Sequence, residues 1–266
     1  MRTLSSHFQR LSIALAVAVT TGAASLSARA EPPRDIVVYG ATSGGIIAAI
    51  HARRMGKSVV VIEPSGHVGG LTTGGLGATD IGNKAAIGGL AREFYRRIGR
   101  HYARPEAWRQ ERMEDYQSRR KVPGEEEMWT FEPHVAANVY RDWIAEAGVE
   151  VIVGERLDRV GGGARLDGHR IRALRTVSGR EFPGTVFIDA TYEGDLMAAA
   201  GVSYHVGREA NAVYGETLNG IQVARATKHQ FTHDVDPYVV PGDPTSGLVA
   251  LVDPEPAGTD GDGDAR

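Results

Sequence analysis

The sequence predicts an α/β fold built on a dinucleotide-binding strand-helix-strand unit, and three observations predict it. The apolar run Ile36-Val-Val-Tyr39 leads directly into a glycine turn, Gly40-Ala-Thr-Ser-Gly44-Gly45. Ile46, Ile47, Ala49, Ile50 and Ala52 then recur at the spacing of a closely packed helix. A second apolar run, Val59-Val-Val-Ile62, ends on an acid, Glu63. Eighteen positions separate Gly45 from Glu63, room for about four helical turns, a stop at Gly56 and a strand of about five residues.

Each part has a physical task. A dinucleotide pyrophosphate is held where a strand delivers the backbone into a tight turn and a helix presents its first amides. Gly40 makes that turn and Gly45 lets helix and strand pack closely, while Glu63, at the carboxyl end of the second strand, is placed to accept a ribose hydroxyl. Thr42 stands at the middle glycine of the fingerprint and leaves less room beside the phosphates. An ordinary strand-turn-helix without a ligand would explain Gly40 and Gly45 but not Glu63.

Downstream, Gly69, Gly70, Gly74, Gly75 and Gly77 form a glycine-dense loop that can lie against a ligand. Ile87, Leu90, Ala91, Phe94 and Ile98 predict an amphipathic helix over 87–99. Residues 101–130, polar and mixed in charge, read as a solvated, charged, partly helical insertion. Pro133 opens a further helix that Gly148 closes, and Val149 to Val153 reads as a strand. Short antiparallel strands are expected over 156–160, 171–177 and 181–182, the first two separated by the glycine turn 161–163. Thr185 to Asp189 reads as a buried strand followed by a short helix over 196–200. Parallel strands, helical crossovers and a small antiparallel meander make a Rossmann-like domain of the two-dinucleotide-fold kind. The domain reading is 31–100 and 131–200 for the nucleotide domain, 101–130 for the insertion, and 201–266 for the start of a substrate or cap region.

Composition narrows the function. A net charge of −3 gives no electrostatic reason to expect a nucleic acid or an anionic membrane as partner. With no cysteine, the chain has no thiolate chemistry, disulfide or cysteine-ligated metal centre, and no metal site is expected. Arg2 and Arg10, the apolar stretch 11–24 and Ala28-Arg-Ala30 have the order of a secretory signal peptide cleaved after Ala30. That pattern places the mature protein in the periplasm or outside the cell, with no stable membrane span after cleavage.

The strings Tyr39-Gly-Ala-Thr-Ser-Gly-Gly45, Val60-Val-Ile-Glu-Pro64, Gly69-Gly-Leu-Thr-Thr-Gly-Gly-Leu-Gly77, Phe131-Glu-Pro-His134, Phe187 to Leu196, Gly207-Arg-Glu-Ala-Asn211 and Asp236-Pro-Tyr-Val239 resemble the FAD-dependent oxidoreductases, in the group that includes heterodisulfide reductase-like members. The resemblance implies an FAD-binding Rossmann-like domain and hydride transfer from a small-molecule or saccharide-like substrate to flavin. It implies that Gly40, Thr42, Ser43, Gly44 and Gly45 face the FAD pyrophosphate and that Glu63 holds the ribose. It also implies that Gly69 and Gly70 line the pyrophosphate and ribitol side, that the Leu157 backbone lies near adenine, and that Ala190 and Thr191 belong to the return-strand motif. Tyr192 stands where the wider superfamily has a glycine. The iron–sulfur clusters that the heterodisulfide reductase name suggests have no cysteine ligands here.

Members of that group continue past this length, so the chain reads as an amino-terminal fragment ending in a glycine-aspartate tail, 258–266. That tail lacks the glutamate of a calcium loop. His134, His205, His229, His233, Glu209, Tyr214 and Glu216 are candidate acids or bases, and none is assigned a catalytic role. Two other readings are a non-catalytic nucleotide-binding protein and an NAD(P)-dependent short-chain dehydrogenase. Against the latter, Ile46 stands where its loop needs glycine and no Tyr-x-x-x-Lys follows. Removing Glu63 is expected to weaken FAD binding with little effect on the fold.

Overall fold

The computed structural model describes residues 31–118, 120, 124–220, 233–252 and 254. The signal segment, His229 and the glycine-aspartate tail lie outside the described residues. The chain divides into two compact units, one ending at Leu196 and the other beginning at Met197.

In chain order the elements of the first unit are β1 (Arg34–Tyr39), α1 (Ser43–Arg54), β2 (Val59–Glu63), α2 (Gly89–Tyr102), α3 (Pro133–Ala147), β3 (Glu150–Val153), β4 (Ala164–Asp167), β5 (Arg170–Arg175) and β6 (Glu181–Asp189). They form one six-stranded sheet in the order β3-β2-β1-β6-β5-β4. The β1–β2, β2–β3 and β1–β6 pairs are parallel, and the β4–β5 and β5–β6 pairs are antiparallel. Alternation along the pleat sends Val38, Val59 and Val61 to one face, where they pack with Ile46 and Ile50 of α1, Phe94 and Ile98 of α2, and Val135 and Trp143 of α3. Val37, Val60 and Ile62 point the other way and are equally buried, as are Leu174 and Phe182 of the meander strands.

β6 changes partners along its length. Phe182 and Pro183 pair antiparallel with β5, whereas from Gly184 to Asp189 the strand runs parallel beside β1. Pro183, with no N–H to donate, stands at the changeover. Gly184 is needed next to it, because a Cβ there would lie 2.7 Å from Val37 Cγ2.

Four expectations are corrected. Residues 156–160 are not a strand: the meander begins after the glycine turn, at β4, and Leu157 makes only an isolated bridge to Thr176. Asp158 explains this, since its carboxylate accepts the Gly161 N–H at 2.7 Å and bends the chain there. The return strand is only half covered, with Val186 50% exposed, because α1 packs over β1 and β2. The 101–130 insertion is neither helical nor simply solvated. Its one regular piece among the described residues is a 3-10 turn, Pro105–Ala107, and its Met128 and Trp129 are buried in the core. Two of its acids are held locally, Glu127 accepting from Arg92 at 2.8 Å and Arg96 at 3.0 Å and Glu125 from Lys84 at 3.3 Å, whereas Arg109, Glu111 and Glu126 are exposed. α2 also runs one turn beyond its expected end, because Tyr102 is buried.

In the second unit, α4 (Asp195–Ala199) ends just inside it, α5 (Asn211–Tyr214) is a single turn, and β7 (Tyr238–Val240) and β8 (Asp243–Leu248) form an antiparallel hairpin. No helix of the described residues is long and apolar enough to cross a membrane.

Two consequences for stability follow from this packing. A Cβ on Gly45 would sit 2.0 Å from the Gly40 carbonyl oxygen and 3.1 Å from Ala190 Cβ, whereas one on Gly44 would meet only Thr42 Oγ1 at 3.8 Å. Gly45→Ala should therefore cost about 1–3 kcal/mol by denaturant unfolding, and Gly44→Ala should stay within about 0.5 kcal/mol of the parent. Equal costs would show that the helix does not bear on the strand as described.

Glu155 supplies a pH dependence. Burial alone would raise its pKa, but hydrogen bonds from Thr176, Ser178 and Arg180 outweigh burial and hold it below the ordinary 4.5. A carboxylate with a depressed folded pKa stabilises the protein above its unfolded value, and the contribution is lost as pH falls through the folded one. Urea midpoints should thus drop as pH falls below 4.5. Glu155→Gln should be less stable at neutral pH and lose less on acidification; an acid slope identical to the parent's would refute the assignment.

Candidate functional site

A cleft of about 370 Å³ opens at the carboxyl ends of β1 and β2. Five residues singled out from sequence line it, Gly40, Thr42, Glu63, Gly70 and Thr191, together with Ser65, His67, Leu71, Gly74 and Tyr192. The turn has the conformation that the glycine reading requires. Gly40 has φ +101, and a Cβ there would come within 2.8 Å of the Ala190 backbone. Two strands and a helix thus converge on a point that only a bare backbone can occupy.

Thr42 does more than crowd the phosphate position. As the N-cap of α1 its Oγ1 accepts the Gly45 N–H at 3.3 Å, and it donates to the Ala190 carbonyl at 2.8 Å. One hydroxyl therefore caps the helix and ties it to the return strand. The first turn of α1 carries no acidic side chain of its own; the carboxylate beside its positive dipole end is that of Glu63, bonded to the Ala41 amide just before the cap.

Glu63 is buried, and its carboxylate already has three donors. Oε2 accepts the Ala41 N–H at 2.7 Å, and Oε1 accepts the Ser65 N–H at 2.8 Å and the Ser65 hydroxyl at 2.6 Å. Of about four acceptor positions on a carboxylate, about one is left for a ribose hydroxyl. The expectation that Glu63 could be removed with little effect on the fold is thereby corrected, since the side chain joins the glycine turn to the loop after β2.

The other sequence-singled residues shape the cleft without lining it. Gly45 carries the helix–strand contact, and Gly44 lies in the first helical turn. Ser43 Oγ lies 2.6 Å from Thr72 Oγ1, and the Gly69 N–H donates to the Ala41 carbonyl at 2.8 Å. Ala190 receives the Thr42 hydroxyl and donates its own N–H to the Tyr39 carbonyl at 2.8 Å. Leu157 is not brought into the cleft: its N–H donates to Tyr39 Oη at 2.9 Å and its carbonyl accepts the Arg159 N–H at 3.0 Å. Behind the glycine loop, burial pushes the Tyr140 phenol up to about 12, with hydrogen bonding toward Ser43 and Thr72 acting in the opposite direction.

Two residues of the cleft were not singled out as contributors. Tyr192 Oη accepts the Leu71 N–H at 2.7 Å and lies 2.2 Å from where a Cβ on Gly70 would be. The phenol thus straps the return strand to the glycine loop, and Gly70, at φ +56, makes room for it. The signal for this lay in the substitution of tyrosine for glycine at 192, which from sequence alone reads only as lost space. His67 Nε2 lies 3.1 Å from the Gly70 carbonyl and 2.9 Å from Thr73 Oγ1, bracing the same loop from its other side.

None of the described acid–base candidates lines the cleft. His134 is exposed at the start of α3. His205 pairs with Glu209 at 4.0 Å in the second unit, which also holds Tyr214, Glu216 and His233. Among the described residues no group of three or more metal-ligating side chains is assembled.

None of the curated proteins matches the chain. Among solved structures it is similar to L-amino acid deaminase from Proteus vulgaris (18% identity, TM-score 0.45, 67% of this chain and 52% of that one). It is also similar to L-proline dehydrogenase from P. horikoshii (17%, 0.44, 70% and 59%) and to a flavin-containing monooxygenase from Stenotrophomonas maltophilia (16%, 0.37, 60% and 39%). The chain therefore spans between 39% and 59% of the length of these structures. At such identities the assignment rests on the family model, which is described as FAD dependent oxidoreductase and matches residues 35–255. The match covers most of the chain, and the protein belongs to the FAD dependent oxidoreductase family.

Proposed function

We propose that the cleft at the ends of β1 and β2 holds the adenosine and pyrophosphate part of FAD, and that the protein uses the flavin to oxidise a small-molecule substrate outside the cytoplasm. The observation that carries the reading is the cradle itself. Gly40 and Gly70 let the Ala190 backbone and the Tyr192 phenol close on the turn, the first turn of an α-helix meets it with no acid of its own, and a buried carboxylate retains one acceptor position beside them. These are the donor and acceptor sets that a pyrophosphate and a ribose hydroxyl require.

In this reading Gly40, Thr42 and the first amides of α1 with Ser43, Gly44 and Gly45 hold the pyrophosphate, and Glu63 accepts from the ribose. Gly69 and Gly70 carry the backbone past the ribitol, and Ala190 and Thr191 close the return-strand side. Bound FAD supplies the two-electron hydride acceptor. The residues of this chain bind and orient it: Tyr192 and His67 fix the loop 69–74 from two sides, and the apolar layer behind it keeps water from the turn. Export rests on the charged, apolar and Ala-x-Ala segments in sequence order.

Flavin titration tests the cofactor site. Glu63→Gln should weaken FAD about tenfold, the loss of one charge-assisted bond. Both variants should also lower stability, Glu63→Ala by about 2–3 kcal/mol because the Ala41 amide and Ser65 lose their acceptor and Glu63→Gln by less, because its amide can accept on one side only. Unchanged affinity in both variants would place the ribose elsewhere. The visible spectrum of the purified protein should show flavin bands; dependence on nicotinamide, or neither signal, would support the dehydrogenase or the non-catalytic reading. Amino-terminal sequencing of exported protein should begin at Glu31, and an intact Met1 form confined to the cytoplasm would overturn export.

A further inference from the structure

A second pocket lies in the same unit, about 310 Å³ in volume, between the end of α2 and the insertion that follows it. Its walls are Tyr102, Trp108, Tyr116, Met128 and Phe131. The aromatic rings are tilted against one another, with centroids 5.5 Å apart for Tyr102–Trp108 and 5.1 Å for Trp108–Tyr116. Such a volume accommodates one six-membered ring with a short substituent.

The polar atoms of the walls decide which substituent fits. Trp108 Nε1 donates to the Tyr102 carbonyl at 2.8 Å, and the Tyr116 hydroxyl is bonded to that of Thr130. The Tyr102 hydroxyl is engaged twice at 2.9 Å, donating to Glu132 Oε2 and accepting the Glu132 N–H. Burial pushes that phenol upward, so it stays protonated and keeps donating. The donors of the aromatic walls are thus engaged within the protein, and the remaining donor side chains, Arg109 and Gln110, lie exposed at the rim. What the pocket offers a ligand is an acceptor, the Glu132 carboxylate, whose capacity exceeds the single bond from Tyr102. At the mouth Arg109 and Glu111, both exposed, carry opposite charges. Ring faces also attract cations.

The pocket is joined to the proposed flavin cleft by one short segment. Gly74 lines the cleft and Gly77 lines the aromatic pocket. The chain from Gly74 to Gly77 spans at most about 11 Å even when extended. Gly77 is fixed there with φ +70, its carbonyl accepting the Phe131 N–H at 2.8 Å.

We propose that this aromatic pocket is a binding site for a compact ring-bearing amine, the ring held by the Trp108 side and the protonated nitrogen by Glu132, and that it is where the substrate docks. The substrate assignment rests on the FAD reading; the binding site does not.

The test is calorimetric titration of the full chain with three probes that share one ring: benzylamine, benzyl alcohol and benzoate. Benzylamine should bind saturably with a Kd of about 1 mM or below, benzyl alcohol at least about tenfold more weakly, and benzoate not detectably. Glu132→Gln keeps an acceptor for Tyr102 but removes the charge, and should bring benzylamine to the level of benzyl alcohol. Ala107→Phe, at the pocket wall, should abolish binding of benzylamine and benzyl alcohol, with an unchanged circular dichroism spectrum as the check on folding. If no probe binds, or if benzylamine binding is indifferent to both variants, the pocket proposal is overturned. A parallel FAD titration separates the two readings. FAD binding without benzylamine binding removes only the pocket, whereas benzylamine binding without FAD binding removes the flavin reading and leaves the amine site standing.

Discussion

The architecture of the site depends on the contact between α1 and β1 at Gly45. The helix can approach only because there is no Cβ where the Gly40 carbonyl lies, 2.0 Å from the position it would take. That approach places the first turn of the helix beside the return strand, close enough for Thr42 to bond the Ala190 carbonyl. It also leaves the Ala41 amide facing Glu63. A larger residue at 45 would push the helix outward and break these bonds together, so the cleft is a consequence of packing before it is a consequence of polar chemistry.

The first half of this arrangement was legible because its signals are local. Strand, turn, helix and strand follow one another within thirty residues of Arg34, and their apolar spacing has no competing period. Five of the residues read from sequence line the cleft, Gly70 of the glycine loop among them. What escaped depends on partners distant in sequence. The start of the meander is set by Asp158 capping the glycine turn, and the course of β6 by Pro183 and Gly184 at a change of partner strand. Leu157 was placed near the adenine by resemblance, yet its amide is taken by Tyr39, 118 positions away. The insertion misled for a related reason. Its charge density suggested solvent, but Glu125 and Glu127 are turned onto Lys84, Arg92 and Arg96 of the preceding region while Trp129 enters the core.

Tyr192 shows how a departure from a pattern can be absorbed by a compensating residue. A glycine at that place leaves room for a cofactor, whereas tyrosine consumes it. The structure answers by bringing the phenol over to the Leu71 amide and placing Gly70, in the left-handed region, directly beneath it. The pair acts as a unit across two loops that lie far apart in sequence. Restoring glycine at 192 alone would release the loop, not simply widen the cleft.

Three buried carboxylates, Glu63, Glu127 and Glu155, hold the loops of the first unit, and they differ in a way that bears on function. Glu127 is paired with Arg92 and Arg96, and Glu155 with Arg180. Such pairs offset the desolvation of the charge and serve the fold alone. The donors shown for Glu63 are neutral, two amides and a hydroxyl. Both of its oxygens accept from these donors, and an amide of the same reach would accept on one side and set an N–H against a donor on the other, so the fold itself calls for a carboxylate here. That structural duty uses three of about four acceptor positions and leaves about one beside the cleft. Of the three, Glu63 lines the cleft, so there the group that ties the glycine turn to the loop after β2 is also a group that a ligand in the cleft would meet, whereas Glu127 and Glu155 spend their charge on arginines.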